Sequence, residues 1–350
     1  MRFDSFTDPL NLYSLKDLFD ISAAGDIDKA NVSDYKTKSH CFPIIGNALS
    51  NDGLYGYTNT YKQENSVTVT GRGEIGVAKA RPYKYYPIVR LLTLKPKNNA
   101  DLKYFECLIN SHEILNESTG VPQLTTPQIG KLKFYIAGYD EQKMIGDFLV
   151  KIDARIETQN KIIEELETYK NAIENIIFKS SYFSTFYIGD LCKITTGKLD
   201  ANAAVPNGIY RFYTCAANYT FIDNYAFDCD AVLISGNGAN VGYVHQYNGK
   251  FNAYQRTYVL YNFSKISSTY LRFFLEKNLK QRINSEKNNG NTPYIRLETI
   301  SKMKIGVPDQ EKQNLIVNAL LSITEKIDNE KRLLKNFYDQ KKFLLSNLFI

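Results

Sequence analysis

Two long stretches of the chain carry apolar residues in alternating steps of four and three. The first runs from Gln142 to Phe178 and sets Ile145, Leu149, Ile152 and Ile156, then Ile163, Leu166, Ile173 and Ile177, on one stripe. The second runs from Gln313 to Phe349 with Ile316, Leu320, Ile323 and Ile327, then Leu334, Phe337, Leu344 and Leu348. Both stripes are interrupted at the same two steps, by Gln159 and Lys170 in one and by Glu330 and Lys341 in the other. Neither stretch contains proline, and Gly146 is the single glycine. A period of 3.5 residues over about five heptads is the signature of a coiled coil. At ~1.5 Å per residue each helix reaches ~55 Å, too long to bury inside a domain of this size, so the two are expected to pair with each other. Asp140 and Asp309 are placed to cap their N-termini, with Glu141 and Glu311 in the first turn, favourable to the helix dipole.

The rest of the chain is also written twice. YSLKDLFDI (Tyr13 to Ile21) is answered by FYIGDLCKI (Phe186 to Ile194), and VTVTGRGEIGVA (Val67 to Ala78) by AVLISGNGANVGYV (Ala231 to Val244). GVPQLTTPQIGKLKFYIA (Gly120 to Ala137) matches NTPYIRLETISKMKIGV (Asn291 to Val307). An internal repeat of this kind sets the organisation before any other signal. The expected order is a first domain at 1–139, a long helix at 140–178, a second domain at 179–308 and a long helix at 309–350. Both domains read as mixed α/β, giving an α+β chain. Short β runs such as SVTVT, IVRLLTL (Ile88 to Leu94), AVLIS and YVLY (Tyr258 to Tyr261) alternate with Asn/Gly turns. Each domain has one further helix, at Ala100 to Ser111 and at Ser267 to Ile283.

At 350 residues the length suits two domains with cores of their own. No apolar run approaches the ~18 residues of a membrane span, and the start MRFDSFTDPL does not read as a secretory signal. Five cysteines, never spaced CxxC, suggest neither a disulfide framework nor zinc, and the expected compartment is the cytoplasm. The net charge of +6 is unevenly spread. The first domain carries 16 basic and 14 acidic residues and the second 15 and 8, whereas the helices carry 5 and 9, then 7 and 6. The domains are therefore +9 and the helices −3.

Catalytic patterns are scarce. GRGEIG (Gly71 to Gly76) satisfies GxGxxG, but it runs into VAKARPYKYYP rather than opening a helix, so it reads as a strand-to-strand turn. DEQK (Asp140 to Lys143) falls at a helix start, where capping accounts for its acids. His40, His112 and His245 belong to no ligand or triad pattern, and no phosphate-binding Walker loop is present. An enzyme acting alone is disfavoured, and no cofactor is expected on the chain itself. A basic surface neutralises phosphates, while Arg, Asn and Gln can read base edges. The glycine-rich turns contribute Arg72, Asn237 and Asn240. AKARPYKYYP offers Lys79, Arg81, Lys84 and Tyr85, and NAYQRTY offers Tyr254, Gln255 and Arg256. SEKNNGNTPYIR offers Lys287, Asn289, Asn291 and Arg296.

With these segments side by side, the chain resembles the specificity (S) subunit of type I restriction-modification systems. The resemblance covers the whole length and is sharpest in LKFYIAGYDEQKMIGDFLVKIDARIE and MKIGVPDQEKQNLIVNALLSITEKID, where a strand leads into a helix with glutamine in its first turns. The second copy keeps a proline at Pro308 where the first has Tyr139, while the first is nearer the usual form at DEQKMI. The resemblance implies that each domain is a target recognition domain reading one half of a split double-stranded DNA site. It implies that the helices pair antiparallel, set the spacer and dock two methylation subunits. Those subunits would bring S-adenosylmethionine, and restriction subunits would complete a nuclease. The other reading is a non-catalytic coiled-coil adaptor or scaffold whose domains bind protein.

Overall fold

The computed structural model describes residues 5–112, 114, 123–286 and 294–349. The chain divides into two compact units, 1–161 with 332–350 and 162–331. The division falls inside the long helices rather than at their ends, because each half-helix is packed into the domain beside it. The first long helix is Tyr139–Phe178 and the second Gln310–Leu348, both unbroken across the boundary.

In the first unit a four-stranded antiparallel sheet runs in the order Phe19–Ala23, Leu91–Pro96, Ser66–Thr70, Ala78–Arg81. Its residues Val67, Val69, Leu92 and Leu94 are buried against helix Leu102–Asn110, whose Phe105, Leu108 and Ile109 face them. A three-stranded sheet (Leu54–Thr58, Phe42–Ile45, Tyr86–Pro87) lies beside it in the chain order, and Asn11–Ser14 pairs with Lys133–Ile136. In the second unit a six-stranded sheet orders Lys193–Thr196, Thr257–Tyr261, Phe227–Ser235, Val244–Ala253, Tyr210–Tyr213 and Thr220–Ile222. Helix Ser268–Ser285 covers one face, burying Leu271, Phe274, Leu275 and Leu279 against Val232, Ile234 and Leu260. Strand Ser184–Tyr187 pairs with Lys304–Val307, the counterpart of the first unit's two-stranded pair. The sequence repeats are therefore structural repeats. Each unit enters through this pair, turns a short helix (Leu15–Leu18 or Ile188–Leu191) and passes into its main sheet.

The apolar stripes behave as their period demands. In the first unit Ile145, Leu149, Ile152 and Ile156 join a core that also takes in Leu334, Phe337, Leu344 and Leu348. In the second unit Ile163, Leu320 and Ile327 are buried, and Leu166, Ile316 and Ile323 half-buried. Each unit thus combines the start of one long helix with the end of the other, which fixes the pairing as antiparallel. Ion pairs along the helices keep the same sense: Lys341 with Asp153 at 2.5 Å in the first unit, Lys331 with Glu167 at 2.6 Å in the second. The interruption at Lys341 is a cross-link, because Asp153 also binds Lys103 of helix Leu102–Asn110 at 2.7 Å. Those two lysines hold the Asp153 carboxyl below its usual range despite its burial.

One glutamine in each copy fastens the long helix to its domain. Gln142 donates from Nε2 to Ala137 O at 2.8 Å and accepts from Asp101 N at 3.2 Å. Gln313 donates to Pro308 O at 3.0 Å and to Lys265 O at 2.7 Å, and accepts from Ser267 N at 2.9 Å. Asp101 and Ser267 are the N-caps of the two domain helices, accepting from Tyr104 N and Tyr270 N. The clasp therefore ties one helix start to another using groups that would otherwise be buried without partners. It also corrects two expectations. The register it sets places Pro308 against Ala137, not Tyr139. Asp309 caps its helix through Lys312 N at 2.9 Å, but the position matching it in the first copy is Gly138, and Asp140 lies inside the first turn.

Gly146 is required by the same junction, since a Cβ there would collide with the Asp101 carboxylate. The second copy has Val317 at the matching place, opposite the shorter Ser267. Gly146→Val is accordingly expected to destabilise the first unit by about 1–3 kcal/mol. Adding Asp101→Ser should recover most of that loss in a double-mutant cycle read by denaturant unfolding; additive losses would refute the collision.

Candidate nucleic-acid interface

The glycine-rich motifs join strand to strand in both units. After Ser66–Thr70, Thr70 N donates to Val77 O at 3.0 Å and Gly76 N to Thr70 O at 2.8 Å. After Phe227–Ser235, Ser235 N donates to Tyr243 O at 2.9 Å and Gly242 N to Ser235 O at 2.8 Å. Gly76 and Gly242 sit at φ +85° and +83°, a left-handed geometry that favours glycine and accounts for the shared motif. No helix follows GRGEIG, so its GxGxxG spacing is that of a hairpin.

Each hairpin flank is braced by the segment that later leads into a long helix. Arg72 bridges to Gln123 and Asn237 to Tyr294, while Leu124 N donates to Gly71 O and Ile295 N to Gly236 O. In the first unit Asn47 clamps the turn further, accepting from Gly71 N and donating to Arg72 O, both at 2.6 Å. Arg72 and Asn240 are exposed and Asn237 half-buried. Arg256 is exposed, and its carbonyl accepts from Gly236 N at 2.9 Å. The second unit therefore gathers Asn237 and Arg256 around one hairpin. Arg296, two residues beyond the Tyr294 that bridges to Asn237, is exposed, with its guanidinium donating to Tyr294 Oη at 3.0 Å.

Other candidates are placed differently. Tyr85 is fully buried, its hydroxyl 2.8 Å from Ser66 Oγ, and burial pushes its pKa up to about 12. Arg81 is 5% exposed and donates to Asp52 O and Thr68 Oγ1. Both are corrections: Arg81 shares its strand face with Lys79, but Asp52 and Tyr83 close over its guanidinium, so these side chains hold a core instead of facing a groove. Lys79 pairs with Asp52 at 3.2 Å, and Lys84 is exposed over the Tyr61 ring at 4.5 Å. Gln255 is exposed and bonded to Asp200 at 2.9 Å, with Tyr254 half-buried behind it. Lys287, Asn289 and Asn291 lie outside the described residues.

Sequence reasoning passed over a basic–aromatic stack in the second unit. The Arg211 guanidinium lies 4.3 Å from the Tyr219 ring and 4.4 Å from the Tyr247 ring. The dense aromatics of YRFY and NYTFIDNY were the available signal, but their facing pairs come from neighbouring strands. Among the described residues no group of three or more His, Cys, Asp or Glu is arranged to bind a metal. Burial pushes the Cys107 and Cys192 thiols up to about 12, so neither is a nucleophile near neutral pH. No helix among those residues is long and apolar enough to cross a membrane.

Comparison with known proteins agrees with this two-fold arrangement. The model of the type I restriction modification DNA specificity domain matches twice, over residues 8–168 and 181–336. The chain belongs to that family. The specificity subunit of the type I restriction enzyme EcoDI from Escherichia coli is 40% identical over 150 residues, 43% of this chain and 33% of that protein. A putative type I specificity subunit of Mycoplasma pneumoniae, S.MpnORF89P, is 25% identical over 175 residues, 47% of this chain and 51% of that protein. These matches span only a third to a half of those relatives. The fold is that of the crystal structure of a type I restriction-modification S subunit from M. genitalium, with TM-score 0.71 at 16% identity over 98% of this chain and 97% of that one. A structure from a study of complex assembly and conformational transition of the type I system gives 0.53 at 12% identity, over 97% of each chain.

Within this specificity family member, Tyr85→Phe separates core from interface. Loss of the hydrogen bond to Ser66 is expected to cost about 1 kcal/mol of stability while leaving DNA-sequence preference unchanged. A changed preference, measured by selection from random duplexes, would return Tyr85 to the interface.

Proposed function

We propose that this chain is the sequence-reading subunit of a type I restriction-modification complex, each globular domain reading one half of a split double-stranded DNA site. The observation that carries the proposal is the doubled specificity domain on paired antiparallel helices. Charge supports it: the net positive charge belongs to the two domains, as a phosphate-binding surface requires. The hairpin residues Arg72, Asn237 and Asn240, with Arg256 on a neighbouring turn, supply directed donors and acceptors. Lys84, Gln255 and Arg296 remain as further contacts, and Lys79 contributes charge partly offset by Asp52.

The long helices act in this reading as a spacer whose length is set by residue count, and as the docking region for two methylation subunits. Those subunits bring S-adenosylmethionine and transfer its methyl group to adenine, and restriction subunits add cleavage. The chain itself supplies recognition without catalysis, working in the cytoplasm where the host DNA is.

Mapping methylated adenines in DNA from cells making the complex tests the proposal: a bipartite asymmetric motif is expected, and its absence would sink it. Removing one heptad from the middle of both long helices shortens them by ~10 Å, so the preferred gap should shrink by about three base pairs of ~3.4 Å each. An unchanged gap would refute the spacer role.

A further inference from the structure

Arg90 and Arg256 occupy the same place in the two units, although the sequences around them were not among the visible repeats. Each is the third residue of a tight turn that enters a main-sheet strand. Leu91 N donates to Ile88 O at 3.1 Å, and Thr257 N to Tyr254 O at 2.8 Å. The first residue of each turn is tied to a neighbouring strand end, Ile88 N to Ile45 O and Tyr254 N to Tyr213 O, both at 2.9 Å. The second is tied across, Val89 N to Gly25 O at 3.2 Å and Gln255 N to Leu199 O at 2.9 Å. The hairpin then presses on the arginine carbonyl: a Cβ at Gly71 would strike Arg90 O, and one at Gly236 would strike Arg256 O. Both turns are thus held on three sides, and in both the first glycine of the GxG motif is the residue that permits the approach.

The side chains themselves are exposed. Among the described residues no ion pair or hydrogen bond of either guanidinium is recorded, in contrast to Arg81, Arg211 and Arg296, which are held by Asp52, Tyr213 and Tyr294. A guanidinium whose donors no described residue engages, carried on a fixed backbone, is suited to a bidentate base-edge contact, above all with guanine.

We infer that Arg90 is the first domain's counterpart of Arg256, and that each arginine determines sequence preference in the half-site its own domain reads. The inference rests on the DNA-reading function proposed above and adds to it a residue pair with one role in both copies. Lysine at either position keeps the charge but not the planar fork, so a base-reading arginine is not replaced by it.

The test maps methylated sites for the complex carrying wild-type chain, Arg90→Ala, Arg90→Lys or Arg256→Ala. In Arg90→Ala and Arg90→Lys at least one position of one half-site should lose roughly 10- to 100-fold of its base preference. Arg256→Ala should relax only the other half. An unchanged motif in Arg90→Ala, full rescue by lysine, or relaxation of the same half by both alanine variants overturns the inference while leaving the bipartite function intact. Absence of any bipartite motif in the wild-type complex overturns that function and the inference with it. Arg90→Lys also keeps the aliphatic stem at an exposed site, so the comparison stands even if the alanine variant folds poorly.

Discussion

Each of the two cores is closed by a pair of half-helices running in opposite directions. In the first unit Ile145, Leu149, Ile152 and Ile156 meet Leu334, Phe337, Leu344 and Leu348 beneath the domain helix. That seam buries the apolar stripe, and the glutamine clasps at Gln142 and Gln313 fix where along the helix each domain attaches. Because the clasp uses the N-cap of the domain helix, the sheet packed on that helix is placed by the same bonds. The hairpins that present Arg72 and Asn237, and the turn that presents Arg256, follow from the sheet's position.

The chemistry follows the same division. Charged groups at the seam are paired into it, Asp153 being shared by Lys103 and Lys341, while Cys107 and Cys192 are buried in the two cores beyond ready ionisation. Side chains with unspent hydrogen-bonding capacity lie on the hairpins and turns at the sheet ends. A rigid backbone lowers the entropy cost of ordering such side chains against a ligand, which favours the proposed DNA-reading role.

The long helices, their pairing and the doubled domains were legible in the primary structure because a 3.5-residue period and a sustained repeat are local regularities. The interruptions at Lys170 and Lys341 were legible as breaks, but the partner of Lys341, Asp153, comes from the other helix. At the candidate site, loop composition singled out Arg72, Asn237 and Arg256, of which the first and last are exposed and Asn237 is half-buried. Arg81 and Tyr85 were misplaced, because AKARPYKYYP looks like a polar loop while its residues 78–81 form a strand with Arg81 buried. Arg90 was absorbed into the apolar run IVRLLTL, whose strand starts only at Leu91.

The amino-acid sequence by itself determined the architecture: helix length from the stripe, two copies from the repeat, and net-positive domains from the partition of charge. The tertiary structure alone decided which side chains are available for recognition. Exposure and free hydrogen-bonding groups depend on strands and turns brought together from distant parts of the chain, such as Gly71 against Arg90 and Gly236 against Arg256. No local pattern carries that information, because the atoms that bury or free a side chain belong to other segments.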